Sequence, residues 1–206
     1  VVEMAPQILP VQLDAHAAME YQRRFEEAGC RFLLGRKAAE AACGQDGLIH
    51  QVALDDGQVI PCDLIIVAAG VRPATGFLEG SGISCEKGIA VNQWMETSAQ
   101  DVYAAGDVTG LSGIWPNAMK QGWTAALNMC GVKTPYEDRY GVKNTINFFG
   151  LVTLCIARIK AEDGDSVLIR EDRNNYKRLL VRESRVEGVL LQGDIYGAGI
   201  WQYLIK

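Results

Sequence analysis

The chain has 206 residues, of which 49% are apolar and 22% are charged, and its net charge is -5. This length and apolar content suffice for a globular protein of one or two domains with a sizeable core. The acidic net charge argues against a general binder of nucleic acid or of anionic membranes, because both surfaces repel it.

The first sixty residues predict strands around one amphipathic helix. Residues 1–3 read as the end of a strand, and Asp14 is placed to cap a helix that runs to about Ala28, with Gly29 as its stop. Residues 30–34 predict a second strand. Asp-Gly turns between short alternating segments then predict a small antiparallel meander over residues 37–60.

The middle of the chain combines apolar runs with Gly- and Pro-rich connections. Residues 63–69 form an unbroken apolar run, which is typical of a strand buried on both faces of a parallel sheet. Residues 70–100 predict a crossover with one short strand at 89–92, and residues 102–105 predict another strand. A helix with Pro116 in its first turn is expected over residues 116–130, ended by Gly131.

The last third predicts a sheet of its own. After a linker at residues 134–143, four alternating segments predict an antiparallel sheet, and residues 198–205 predict a short helix. The predicted strands cover residues 151–159, 166–170, 176–182 and 186–192.

The cysteines and histidines offer no metal or redox constellation. The six cysteines are each separated by about a dozen residues or more, which excludes a CxxC pair or a zinc knuckle, and His16 and His50 are isolated. We interpret the cysteines as buried small residues in a reducing compartment and expect a cytoplasmic protein, since no apolar run is long enough to span a membrane and no leader opens the chain.

The segment Thr97-Ser-Ala-Gln-Asp-Val-Tyr-Ala-Ala-Gly-Asp107 carries the most information. A strand that stops at Gly106 lets backbone approach a ligand closely, and Asp107 then lies at the carboxyl end of the strand, where open α/β sheets bind their ligands. The segment resembles the second FAD signature of the pyridine nucleotide-disulfide oxidoreductase superfamily. The resemblance implies that Asp107 holds a ribitol hydroxyl of FAD. A Gly-Asp β-turn after a buried strand is the alternative.

Three further elements are similar to that family in type and order. Glu3 ends a strand before a helix, where an acidic residue accepts hydrogen bonds from the adenosine ribose and repels a 2′-phosphate, which favours NAD over NADP. The run Val67-Ala-Ala-Gly-Val-Arg-Pro73 resembles the strand that leaves the NAD domain, with Gly70 beside the nicotinamide. The helix opened by Pro116 offers the backbone amides of Asn117, Ala118 and Met119 to the flavin pyrimidine edge.

The resemblance implies an α/β fold: partial NAD- and FAD-binding, Rossmann-like three-layer segments followed by a small C-terminal α+β domain with an antiparallel sheet. It divides the chain into the C-terminal part of an NAD domain (1–72), a returning segment of an FAD domain (73–141) and an interface or dimerisation domain (142–206). Residues 148–151, 176–181 and 188–194 are similar to the last domain of rubredoxin reductases and of NADH-dependent nitrite reductase flavoproteins. No catalytic residue is assigned.

The implied function is hydride transfer from NADH to FAD, with electrons passed on to a redox protein or small molecule. No GxGxxG turn occurs in the chain, so we expect it to be the carboxyl-terminal portion of a longer polypeptide and inactive alone. Expected partners are the missing N-terminal portion, a second copy and a small acidic redox protein, since residues 142–206 hold ten Lys+Arg against eight Asp+Glu. A non-enzymatic dimerisation or redox-docking module is the alternative, and completion of the sheet by a separate chain is a third.

Overall fold

The computed structural model describes residues 1–137 and 143–205. The chain forms two compact units. One combines Val1–Val67 with Lys143–Lys206 and is called the split unit, and the other comprises Ala68–Val142 and is called the central unit. The predicted three-part domain division stays a prediction.

The split unit begins with a β-α-β element. Strand β1 (Val2–Glu3) pairs in parallel with β2 (Leu33–Leu34), and helix α1 (Ala15–Glu27) connects them. Asp14 caps α1 as predicted, since its Oδ1 accepts from the backbone N–H of Ala17 at 3.0 Å. The chain leaves α1 through Gly29 at a φ of 95°, a conformation that favours glycine.

The predicted meander is confirmed as three antiparallel strands in the order β3-β4-β5. The strands are β3 (Ala38–Cys43), β4 (Ile49–Leu54) and β5 (Val59–Pro61). Gly47 and Gly57 turn the chain between them at φ values of 78° and 84°.

A five-stranded antiparallel sheet completes the split unit, as the alternation in the last third predicts. Its order is β6-β7-β10-β9-β8, and α3 (Ala198–Leu204) follows the last strand. The strands are β6 (Lys143–Phe148), β7 (Leu151–Ala157), β8 (Ser166–Glu171), β9 (Tyr176–Arg182) and β10 (Arg185–Gln192). The sequence did not predict β6, because its first residue falls in the presumed linker; residues 138–142 of that linker lie outside the described part of the chain.

The core of the split unit lies on both faces of this sheet. Along β10, Leu190 belongs to a cluster with Ala17 and Tyr21 of α1, whereas the adjacent Val189 and Leu191 belong to a second cluster that includes Ile205. Successive strand residues point to opposite faces, so one buried strand serves two apolar layers. The C-terminal sheet thus has α1 on one side and the chain end around α3 on the other.

The central unit is built mainly of turns and one long helix. Helix α2 (Trp115–Met129) confirms the helix predicted from Pro116, and two short 3₁₀ turns occupy Gly76–Leu78 and Asp107–Thr109. The strands predicted at 89–92 and 102–105 were wrong: only isolated bridges join Cys85 to Ile89 and Glu96 to Tyr103. Each segment makes too few backbone pairs for a ladder.

The strand predicted at residues 63–69 was also wrong, because these residues are not in any sheet. Leu64, Ile66 and Val67 are 75%, 82% and 83% exposed. A strand buried on both faces requires a neighbouring strand and covering helices, and the described residues supply neither here. An apolar run alone does not make a strand.

Most of the cysteines are not buried, contrary to the prediction from the sequence. All six are free thiols, but only Cys155 is buried, while Cys30, Cys43, Cys85 and Cys130 are exposed. Most of them lie in turns and at element ends. Among the described residues, every helix is too short or too polar to cross a lipid bilayer, and no group of His, Cys, Asp and Glu is arranged to hold a metal ion.

Candidate functional site

The Gly106–Asp107 turn lies against α2 in the central unit. Gly106 has a φ of 84° and a ψ of -158°, a conformation that L side chains rarely adopt. A Cβ on Gly106 would lie 3.7 Å from the Cβ of Ala118, so the turn passes close to the first turn of the helix. The two motifs that the sequence singled out separately, the Gly-Asp turn and the Pro116 helix, therefore meet.

Gln121 and Thr109 fasten this turn. The backbone N–H of Gly106 donates to Oε1 of Gln121 at 2.7 Å. The hydroxyl of Thr109 donates to the carbonyl of Gly106 at 2.8 Å and lies 3.2 Å from the same Oε1. Both side chains are buried, so water does not compete for these bonds. Sequence reasoning missed both residues.

A second segment supports the turn from elsewhere in the central unit. The N–H of Ile89 donates to the carbonyl of Val108 at 2.9 Å. A Cβ on Gly88 would come within 2.4 Å of the carbonyl carbon of Thr109, so only glycine allows this approach. The turn is therefore fixed by backbone contact as well as by Gln121.

The carboxylate of Asp107 remains available at this rigid turn. Asp107 is exposed, and no described side chain or backbone group hydrogen-bonds to its carboxylate. Its backbone carbonyl accepts from Gly110 at 3.1 Å, which closes the 3₁₀ turn. A fixed backbone with an unengaged carboxylate can accept hydrogen bonds from a hydroxyl-bearing ligand.

The beginning of α2 lies beside the Gly106–Asp107 turn. No side chain caps Ile114, and the first intrahelical bond runs from the N–H of Ala118 to the carbonyl of Ile114 at 3.1 Å. The amide of Ala118 is thus engaged within the helix, and the positive end of the helix dipole lies in the turn before it. Of the three amides predicted as donors, Asn117 belongs to that first turn, whereas Met119 follows Ala118 in the ladder.

Helix α2 has an unusual distribution of polarity. Its buried positions include three polar residues, Asn117, Gln121 and Thr124, whereas Trp115, Met119 and Trp123 are exposed. Met119 and Trp123 line a groove of about 620 Å³ together with residues 134–137. An ordinary amphipathic helix buries its apolar residues and exposes its polar ones, whereas α2 does the reverse. Its buried face can therefore hydrogen-bond to backbone groups such as those of Gly106, and its exposed face can contact an apolar surface.

Glu3 lies at the carboxyl end of β1 in the split unit, as the sequence predicts. Its Oε1 accepts from the N–H of Ala5 at 2.8 Å, which orients the carboxylate beyond the strand. The N–H of Arg36 donates to the carbonyl of Glu3 at 3.1 Å, and the Arg36 guanidinium pairs with Asp56 at 2.7 Å. Sequence reasoning missed Arg36, because only the parallel pairing of β1 and β2 brings it to this edge.

Gly70 is the remaining predicted site residue. It has a φ of 89° and would have nothing within 4 Å of an added Cβ. It follows the exposed apolar run, and its proposed place beside a nicotinamide stays a prediction.

Comparison with known proteins supports the resemblance seen in the sequence. Residues 1–122 match the family described as pyridine nucleotide-disulphide oxidoreductase. The chain is 30% identical over 201 residues to nitrite reductase [NAD(P)H] of Bacillus subtilis, which covers 94% of this chain and 25% of that protein. It is 29% identical over 143 residues to NADH-rubredoxin oxidoreductase of Clostridium acetobutylicum, covering 68% and 38% respectively.

A solved structure shows the same fold. An FAD-dependent pyridine nucleotide-disulphide oxidoreductase from Desulfovibrio vulgaris superimposes with a TM-score of 0.76 at 23% identity, over 97% of this chain and 54% of that one. The chain thus spans between a quarter and about half of the proteins it matches. Because the family match extends over more than half of the 206 residues, the chain belongs to the pyridine nucleotide-disulphide oxidoreductase family.

Proposed function

We propose that this chain is the carboxyl-terminal part of a flavoprotein that passes a hydride from NADH to FAD and electrons on to an acceptor. The family is FAD- and NAD(P)H-dependent. The observation that carries the proposal is the rigid Gly106–Asp107 turn held against the first turns of α2. We expect the 206-residue chain alone to turn over nothing, since it contains no glycine-rich pyrophosphate turn.

The residues present fit FAD. Asp107 offers an exposed, unengaged carboxylate to the ribityl hydroxyls, and Gly106 keeps the backbone clear of a side chain. The start of α2, with Asn117 in its first turn, presents the positive end of a helix dipole to the electron-rich pyrimidine edge, whereas the amides of Ala118 and Met119 belong to the helical ladder. When bound, FAD supplies the hydride-accepting ring, and these residues bind and orient it.

The nucleotide preference follows from Glu3 and its surroundings. A carboxylate at the end of β1 accepts hydrogen bonds from ribose hydroxyls and repels a 2′-phosphate. Arg36, which could neutralise such a phosphate, is paired with Asp56. We therefore propose NAD rather than NADP. In the longest polypeptide that carries this sequence, Glu3→Gln should lower the ratio of kcat/KM for NADH to that for NADPH; equal use of both nucleotides by the unaltered polypeptide would contradict this.

The decisive experiment is the visible spectrum of the longest polypeptide that carries this sequence. We expect a flavin spectrum that NADH bleaches. Asp107→Ala removes a charge-assisted hydrogen bond worth about 1.5–3 kcal/mol, so FAD should bind at least about tenfold more weakly. Glu86→Ala, an exposed acidic residue of the same unit, is the matched control. A colourless protein, or unchanged affinity in Asp107→Ala, would refute the proposal.

The acceptor that we propose is a redox protein or a small molecule. The mildly basic last third favours a small acidic redox protein, whose association should weaken as salt rises. An association that does not respond to ionic strength would remove this preference. The free thiols fit a reducing compartment, and we propose the cytoplasm.

One observation favours the alternative of an assembly module. Strand β8 is one of the two edge strands of the five-stranded sheet, and Val167, Leu168 and Ile169 are all exposed there. Such an edge is a template for pairing, so a homodimer through residues 142–206 is a second candidate function. Size-exclusion chromatography with Leu168→Lys tests it: an unchanged elution volume would exclude this edge.

A further inference from the structure

We propose that Gln121 is a positioning residue that sets the separation between Asp107 and the start of α2, and thereby the geometry of the FAD site. This inference rests on the proposed flavin function and assigns a role to a residue that contributes no predicted ligand contact.

The hydrogen bonds around Gly106 converge on this one side chain. Oε1 of Gln121 accepts directly from the N–H of Gly106 at 2.7 Å. The carbonyl of Gly106 accepts from Thr109, whose hydroxyl oxygen is also 3.2 Å from Oε1. Gln121 therefore holds the backbone N–H of Gly106 directly and its carbonyl through Thr109. Asp107 is the next residue along the chain.

Gln121 also connects the turn to the beginning of the helix. It lies one helical turn after Asn117, and both belong to the buried face of α2. A shift of Gln121 would therefore change the distance between the ribityl-binding carboxylate and the pyrimidine-binding helix terminus. A bound cofactor spans both points, so its affinity depends on this distance.

The burial of Gln121 shows that stability alone does not explain it. The side chain is 0% exposed, and its Nε2 has no acceptor among residues 1–137 and 143–205. An unsatisfied buried donor destabilises a fold, whereas an apolar residue of the same size would avoid that loss. The side chain uses its Oε1 twice and its Nε2 not at all, which fits a residue retained for what that oxygen holds in place.

The test compares three variants in the longest polypeptide that carries this sequence. Gln121→Met keeps the volume and removes the acceptor, and we expect FAD to bind about tenfold more weakly with a changed flavin reduction potential. Gln121→Glu, measured at pH 6, keeps an oxygen acceptor, because burial favours the neutral acid, and should restore affinity to within about threefold. Gln100→Met makes the same change at an exposed position and should have no effect.

A second measurement needs no flavin. In the 206-residue chain, hydrogen exchange of the Gly106 amide should accelerate about tenfold in Gln121→Met, while the Ala104 amide, which bonds to Met95, should not change. If Gln121→Met does not fold, Thr109→Val removes the bridging hydroxyl and should weaken FAD binding about threefold.

The outcomes separate the two proposals. An unaltered protein that holds no FAD overturns the flavin function and this inference with it. A protein that holds FAD equally well in Gln121→Met and Gln100→Met overturns the role of Gln121 alone. Unchanged exchange of the Gly106 amide in Gln121→Met overturns it as well.

Discussion

At the scale of single residues, Tyr21 joins parts of the chain that are 130 positions apart. Its ring is fully buried under the C-terminal sheet, and its hydroxyl donates to the carbonyl of Leu151 at 2.8 Å. Burial raises the pKa of Tyr21 above its usual value. The bond therefore links α1 to the start of β7 only while the hydroxyl keeps its proton.

We expect Tyr21→Phe to lower the free energy of unfolding by about 1 kcal/mol at neutral pH, since a buried carbonyl loses its donor. The raised pKa means that this stabilisation is fully present below the unfolded pKa of about 10 and is lost as the pH rises towards the folded pKa. Urea denaturation between pH 7 and 11 should show the difference from the unaltered chain shrinking. Tyr196→Phe, at an exposed residue, is the control; a difference that grows with pH would contradict this account.

Some residues of the site could be predicted and others could not. Glu3, Asp107 and Pro116 stand in motifs whose order along the chain is informative. Gln121 and Thr109 became visible only through their hydrogen bonds, although a polar residue recurring on one face of α2 was an available signal. Arg36 carried no signal, because its proximity to Glu3 depends on the pairing of two short strands.

At the scale of elements, Gly188 allows β10 to pass close to the backbone at the end of β7. The register between β9 and β10 shifts between Val186 and Gly188, which marks a β-bulge. A Cβ on Gly188 would lie 1.7 Å from the carbonyl oxygen of Arg158. A side chain at position 188 would therefore force the backbone of Arg158, directly after β7, to move.

Gly188→Ala should therefore destabilise the split unit by about 3 kcal/mol, the upper end of the usual range for overpacking, because a clash with rigid backbone is not relieved by rotamer changes. Thermal unfolding followed by circular dichroism measures the loss. Gly199→Ala in α3, where an added Cβ meets nothing within 4 Å, should cost nothing. Equal melting temperatures for the two variants would show that the bulge yields easily.

The loop between β7 and β8 is tied by charge. The side chain of Asp165 is fully covered and pairs with Arg158 and Arg182. The Arg158 guanidinium, followed by the N–H of Glu162, holds the pKa of the Asp165 carboxyl well below its usual range. The loop is therefore fastened only while this carboxyl is ionised.

A depressed folded pKa gives stability that is present above the unfolded pKa of about 4 and is lost as the pH falls through the folded value. Asp165→Asn should thus be less stable than the unaltered chain at pH 7, with the difference narrowing below about pH 4. Acid titration of the urea midpoint tests this, with the exposed Asp163→Asn as the matched control. A difference independent of pH would assign the effect to packing.

The elements that the sequence predicted well carry their own local signals. Helix α1 has a capping aspartate and a terminal glycine, and the C-terminal strands alternate in polarity around short turns. The strands predicted at 89–92 and 102–105 lack partners of sufficient length, a property that no local pattern contains. Strand pairing depends on the tertiary structure, and both predictions were wrong because this pairing is missing.

At the scale of the whole molecule, the exposed apolar run at residues 63–69 also shows that a local pattern does not predict strand pairing. Its composition is that of a doubly buried strand, yet it forms no strand in the described chain. The chain spans only a quarter to about half of its relatives. The family assignment, by contrast, was predictable, because several weak motifs follow one another along these 206 residues in the order typical of the family.

We expect the amides of residues 63–69 to exchange quickly in the 206-residue chain and slowly in the longest polypeptide that carries it, because added strands would pair with them. Hydrogen exchange by mass spectrometry compares the two, and Val189–Leu191 of β10 should be protected in both. Ile66→Asp should be harmless in the short chain and destabilising in the long one. Fast exchange in both would mean that this run is never a strand.

The outward-facing tryptophans of α2 also give the molecule an optical property. Trp115 and Trp123 are 79% and 70% exposed, one on either side of Met119. Solvated indoles emit at long wavelength and are readily quenched by dissolved iodide or acrylamide. Binding of a partner or segment to this helix should therefore shift the tryptophan emission to shorter wavelength and reduce its quenching. The binding can thus be followed without an attached label.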